Sequence, residues 1–121
     1  SPQATVRKRA PLCGSTVTVD LDMEGGRIVR FGQDVKACAL GQASAALMAA
    51  HIIGRTRAEV EQGREQLRAM LKDGAPPPEA PFIGYEVLEP ARDYKNRHAS
   101  ILLTLDALSD AMDEVAHSDC A

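Results

Sequence analysis

From Ser15 the chain alternates. In STVTVDLDM, Val17, Val19, Leu21 and Met23 fall on one parity, and Thr16, Thr18, Asp20 and Asp22 on the other. That two-residue period is the mark of a strand with one face buried. Glu24-Gly25-Gly26 follows, and a glycine pair between two β-like runs predicts a hairpin. The return run, RIVRFGQDV, alternates imperfectly, with Ile28 on the parity of Arg30 and Val29 on that of Phe31. Gly32 is the expected position of a bulge or bend. Ahead of both runs, ATVRKR is a short β-prone stretch, followed by a turn over residues 11–14.

After Cys38 the period lengthens. Leu40, Ala43, Leu47 and Ala50 recur at helical spacing, Ile53 continues the stripe, and Gly54 stops it. Thr56, with Glu59 three residues later, predicts a capping box at the start of a second helix. Val60, Leu67, Met70 and Leu71 are its apolar face, and Gly74 ends it. On its solvated face Glu61 precedes Glu65 and Arg64 precedes Arg68, which sets like charges four apart. APPPEAP, residues 75–81, is a stiff loop. FIGYEVLEP has room for a short extended piece, and residues 90–97 are polar. A last helix is expected over about residues 98–115, with Ile101, Leu105, Leu108, Met112 and Val115 as its stripe and 116–121 as a flexible tail. Strands first and helices after define an α+β domain, a three-stranded antiparallel sheet packed with helices.

Composition narrows the function classes. At 121 residues the chain holds one domain, 1–121, and one modest core. A net charge of −3 gives no basic footprint for nucleic acid and no polybasic membrane patch. No apolar run is long enough to span a bilayer, and the opening SPQATVRKRAPL lacks the apolar region of a signal peptide. Three cysteines make an odd count with no disulfide framework, so a reducing, cytoplasmic setting is expected. There, cysteine spacing points to metal or sulfur chemistry.

The predicted topology puts Cys13 just before the first clear strand and Cys38 just after the second. A hairpin returns its ends to one side, so the two thiols are expected to lie close together. Cys38 also opens a helix, where the dipole and free N–H groups favour a thiolate. Two converging thiolates make half of a tetrahedral zinc site or half of an iron–sulfur ligand set. A buried cysteine serving as a small hydrophobe is the alternative. Cys120 reads as a free thiol. No acid/base dyad or phosphate loop is visible, which argues against an independent catalyst.

PLCGSTVTVDL, RIVRFGQDVKACALGQASAALM and HIIGRT resemble the N-terminal module of NifU and the related IscU and SufU iron–sulfur assembly proteins. The family pattern is a Cys-Gly pair opening a strand, a second cysteine opening a small-residue helix, and Gly-Lys/Arg-Thr/Ser closing it. A third cysteine begins the last helix, with Leu three residues on and Ala-Leu at seven and eight. Counted back from Ala107-Leu108, with Leu103 in register, that third position is Ser100. The long interval between Cys38 and Ser100 is similar to the SufU branch, and so is LEPARD where IscU-type proteins carry their chaperone peptide. The resemblance spans roughly residues 11 to 108. It implies the SufE/NifU-like fold, with the typical N-terminal helix expected to be missing or trimmed.

The family's ligand set is incomplete here. Cys13 and Cys38 match, Ser15 stands where an aspartate joins the cysteines, and Ser100 replaces the third cysteine. A neutral serine is a poor ligand for iron or zinc, and His98, two residues before Ser100, is the nearest substitute. The resemblance implies a role in iron–sulfur cluster assembly, as an accessory scaffold or a sulfur carrier. Cys38 or Cys13 would take sulfur, or Cys13, Cys38 and His98 would hold iron or zinc. Ser15 and Ser100 line the pocket. The implied cargo is a transient iron–sulfur cluster or zinc, or none, since two ligands are replaced. The implied partners are a cysteine desulfurase and cluster-acceptor proteins, with a cluster-dependent homodimer as a further arrangement. A cluster-free module that regulates a desulfurase by binding it is the alternative from another class.

Overall fold

The computed structural model describes residues 1–11 and 14–120, with backbone only for 118–120. Strands β1 (Ala4–Arg9), β2 (Thr16–Glu24) and β3 (Arg27–Lys36) form an antiparallel meander in that order. Helices α1 (Ala39–Ala49) and α2 (Arg57–Asp73) follow, then a 3-10 segment, Ile83–Asp93, a short second one, Lys95–Arg97, and helix α3 (His98–Cys120). The α+β class and the three-stranded sheet expected from the pattern are those observed.

The imperfect alternation of β3 has a physical cause. Asp22 pairs with Arg30 but Met23 pairs with Ile28, so Val29 is an extra residue, a bulge. Ile28 on one side of the bulge and Phe31 on the other then both face the core, while Val29 is 42% exposed. Gly32 sits in regular register opposite Asp20, so the bulge lies three residues before the expected position.

Helix α3 is the centre of the molecule. It packs on β1 and β2 on one side and on α1 and α2 on the other. Its buried positions therefore go well beyond one stripe: Ile101, Leu103, Leu105, Ala107, Leu108, Ala111 and Met112 are all buried. Its backbone remains helical through Cys120, past the stripe's last member, Val115. Facing it, α1 buries Gly41, Ser44, Ala45 and Met48 rather than Leu40, Ala43, Leu47 and Ala50. Small side chains let two helices approach closely, and at that seam closeness outweighs the apolar area of the leucines.

Helix α2 starts and stops as expected. The Thr56–Glu59 capping box is formed and Gly74 closes the helix with φ of 71°. The solvated face pairs opposite charges three apart, Arg64 with Glu61 and Arg68 with Glu65. The stretch after the proline loop is not extended. Phe82, Tyr85, Leu88 and Ala91 are buried at every third position, the period of a 3-10 helix. Phe82 lies against Gly63 of α2, where a Cβ would come within 2.5 Å of its ring.

Candidate functional site

Lys36 ends β3 opposite Thr16, and two residues later Cys38 becomes the N-cap of α1. Its backbone is extended, with φ −66° and ψ 173°, and its carbonyl accepts the first helical hydrogen bond from Gln42 at 2.9 Å. At this N-cap position the sulfur faces the free N–H groups of Leu40 and Gly41. It is only partly covered by its surroundings. What it meets is Ser100, in the first turn of α3, with Oγ 3.5 Å from Cys38 Sγ. Behind it, Ser15 Oγ lies 3.1 Å from Ser100 Oγ. Both serines are buried, Ser100 at 2% and Ser15 at 4% exposure, so a line of hydroxyls runs from the start of β2 to a partly buried cysteine.

Gly41 makes this contact possible. A Cβ there would fall 2.5 Å from Ser100 Oγ and 2.7 Å from Ala37 Cβ. Any side chain would push α3 away from the N-terminus of α1. The seam is fixed further along by two polar clamps. Ser44 Oγ donates to Ile101 O at 2.5 Å, and Tyr85 Oη donates to Ser44 O at 2.8 Å. On the sheet side, Gln33 Nε2 donates to Ala45 O at 3.1 Å while its Oε1 accepts from Thr104 Oγ1 at 2.9 Å. One β3 side chain thereby holds α1 and α3 together.

Several influences act on the Cys38 thiol. Burial raises its pKa, but the Ser100 hydroxyl, the backbone N–H groups of Gly41 and Leu40, and the positive charge of Arg97 lower it, and the net result lies below the ordinary thiol value. Hydrogen-bond donors and a nearby cation favour the charged form over burial's preference for the neutral one. The balance of these influences at the helix start favours the thiolate form of Cys38.

The structure brings Ser15, Cys38 and Ser100 together. It gives His98 other work. Nε2 of this buried imidazole lies 3.0 Å from Arg92 O and 3.3 Å from Ala91 O. Both partners are carbonyls, so Nε2 carries the proton and ties the end of the 3-10 segment to the start of α3. Positions two apart on a helix do not share a face, so His98 is turned away from the side that Ser100 presents to Cys38. Cys13 lies outside the described residues, and so does the side chain of Cys120. His117 sits near the far end of α3, with Nδ1 2.8 Å from Asp113 O, and His51 is exposed just after α1.

As a cation site the described donors fit poorly. One sulfur and two neutral hydroxyls converge, and no group of three His, Cys, Asp or Glu side chains suited to a metal ion occurs among the described residues. Two site features had weaker signals in the sequence. Gly41, three residues after Cys38, reads as one more small residue in an alanine-rich helix. Arg97 stands in a basic cluster with Arg92 and Lys95 ahead of the last helix, and nothing in the sequence ties it to Cys38. No helix among the described residues is long and apolar enough to cross a membrane.

No protein-family model matches the chain. No curated protein matches it either. Solved structures do. The N-terminal part of a nitrogen-fixing NifU-like protein from Brucella abortus is 46% identical, with 97% of this chain and 81% of that one covered and a TM-score of 0.94. A protein from Fervidobacterium islandicum, assigned as an iron–sulfur cluster assembly scaffold for the SUF system, is 25% identical, with 92% and 81% covered and a TM-score of 0.79. A hypothetical protein at 21% identity shares the fold alone, with a TM-score of 0.82 over 91% of this chain and 81% of its own. Close to half the residues are shared with the NifU-like protein along almost the full length of the chain, on one backbone course, and the chain belongs to the NifU/IscU/SufU family.

Proposed function

We propose that the chain works in iron–sulfur cluster assembly as a sulfur carrier, with Cys38 as the accepting thiol. The observation that supports this most is the thiol itself, partly exposed at the start of α1, with Ser100 against it and Arg97 adding positive charge. The likeness to the SUF-system scaffold and to the NifU-like protein supplies the class of work. The donor is the cysteine persulfide of a desulfurase. Cys38 thiolate attacks the outer, sulfane sulfur; a new S–S bond forms, the donor's S–S bond breaks, and the electron pair leaves on the donor cysteine. The carrier now holds a persulfide, and the donor thiolate takes up the proton that Cys38 released. No oxidant or reductant is consumed. Transfer to a cluster-building acceptor repeats the step with the roles exchanged. The reaction needs free thiols and so a reducing compartment. Cys13 is the second thiol available to this chemistry.

The test is transfer of labelled sulfur. Reduced protein is incubated with a cysteine desulfurase and sulfur-labelled cysteine, then trapped with an alkylating agent. The expected result is label that a reductant releases, retained in Cys13→Ala and lost in Cys38→Ala. Equal label in wild type and Cys38→Ala would overturn the assignment. No label in any of them, with desulfurases that load other carriers, would leave the desulfurase-binding module as the better reading.

A further inference from the structure

The hydroxyl pair behind Cys38 has a consequence for what the site accepts. We infer that Ser100, backed by Ser15, selects the cargo of this site, admitting sulfane sulfur and turning divalent cations away. The inference rests on the sulfur-carrier reading and concerns the specificity of the same site.

Ser100 Oγ stands 3.5 Å from Cys38 Sγ. Two sulfurs that share a tetrahedral zinc at about 2.3 Å each would be about 3.8 Å apart, so Ser100 occupies the place of a second ligand. It fills that place with a neutral group. When Cys38 is ionised its sulfur has no proton to give, so Ser100 donates its only proton to Sγ, with the Ser15 hydroxyl 3.1 Å behind it. A donor hydroxyl aimed at the sulfur faces an arriving cation with its positive end. Both serines are buried, so neither can turn out and bring water in as a substitute ligand. A cation here would be desolvated against one thiolate among the described groups, a poor exchange.

A persulfide meets the opposite situation. Its terminal sulfur is a soft monoanion. The Ser100 hydroxyl, the N–H groups of Leu40 and Gly41 at the α1 start, and Arg97 all present positive charge to it. The same groups that disfavour a cation stabilise the anion that transfer produces. Gly41 keeps Ser100 in place, because any side chain there would collide with Ser100 Oγ.

Cobalt(II), whose thiolate complexes absorb strongly in the near ultraviolet, is the probe. It is titrated anaerobically into wild type, Ser100→Cys, and Ser15→Asp with Ser100→Cys. Cys13 is common to all three proteins. Wild type should show no stoichiometric thiolate-to-cobalt absorption, and the double variant should bind at least about 100-fold more tightly. Ser100→Cys replaces one oxygen by sulfur and keeps the fold, which circular dichroism checks, so it carries the test if the double variant unfolds. Ser100→Thr, which keeps the hydroxyl, should behave as wild type. Tight cobalt binding by wild type through Cys38, or no gain in a folded Ser100→Cys, would overturn the inference. Failure of the sulfur-carrier reading shows elsewhere, as absence of label on Cys38 in the desulfurase assay, whatever cobalt does.

Discussion

The seam between α1 and α3 holds two clusters of hydroxyl groups, and they behave differently. At Ser44 the hydrogen bonds close on themselves. Ser44 donates to a carbonyl of α3, Tyr85 donates to the carbonyl of Ser44, and both side chains are fully buried. At Ser100 the line of hydroxyls runs outward and ends on the sulfur of Cys38, a residue only partly buried. Each cluster bridges the two helices through a serine, Ser44 of α1 in one and Ser100 of α3 in the other. What separates them is where the last hydrogen bond goes. A saturated buried cluster contributes to stability, since each lost partner would leave a polar group unsatisfied. A cluster that ends on a reactive atom adjusts that atom's chemistry instead.

The comparison can be broken by substitution. The largest effect belongs to the closed cluster. Tyr85→Ala removes a fully buried ring that also packs toward Phe82, and should cost about 3 to 5 kcal/mol in denaturant unfolding. The protein that remains folded should still accept sulfur on Cys38. Gly41→Ala comes next, because its new Cβ meets Ser100 Oγ and Ala37 Cβ. Overpacking of this kind costs about 1 to 3 kcal/mol, against less than about 1 kcal/mol gained from alanine's helix preference. Unlike Tyr85→Ala, it should also slow alkylation of Cys38, since Ser100 is the group displaced. Thr56→Ala, remote from both clusters, removes the α2 cap, costs about 1 kcal/mol, and should leave Cys38 alone.

The smallest effect is a displaced midpoint. Alkylation of Cys38, followed against pH, reports its thiolate fraction. The folded-state pKa is lowered, so the rate should reach half its plateau at a lower pH in native protein than in denatured protein. Ser100→Ala should move that midpoint upward. A midpoint that does not differ between native and denatured protein would mean that the open cluster does not act on the sulfur.

Much of this fold is legible in the chain, because its elements carry their own local signals. The period of STVTVDLDM, the glycine pair, the Thr56–Glu59 box and Gly74 are each written within a few residues, and the structure has each as a strand, hairpin, cap or stop. The misreadings occur where tertiary contact decides. Helix α1 buries Gly41, Ser44 and Ala45 because α3 must come close, and no local period announces that choice. The 3-10 segment did have a signal, the three-residue spacing of Phe82, Tyr85, Leu88 and Ala91, but Pro90 and Gly84 obscure it. The site divides the same way. Cys38 at a helix start could be read from the change of period. The distance from Cys38 to Ser100 spans 62 positions and depends on how two helices pack. The use of His98 depends on the carbonyls of Ala91 and Arg92, at the end of a 3-10 segment whose last residues show only polar character in the sequence.

The central claim concerns where sulfur lands, and trypsin separates the possibilities. Cleavage at Arg9, Arg27, Lys36, Arg55 and Arg97 puts Cys13, Cys38 and Cys120 on three different peptides. After one desulfurase turnover and alkylation, the peptide of residues 37–55 should gain the mass of one sulfur atom, and the peptide of residues 98–121 should not. Sulfur found on either other peptide, with residues 37–55 unchanged, would contradict the account.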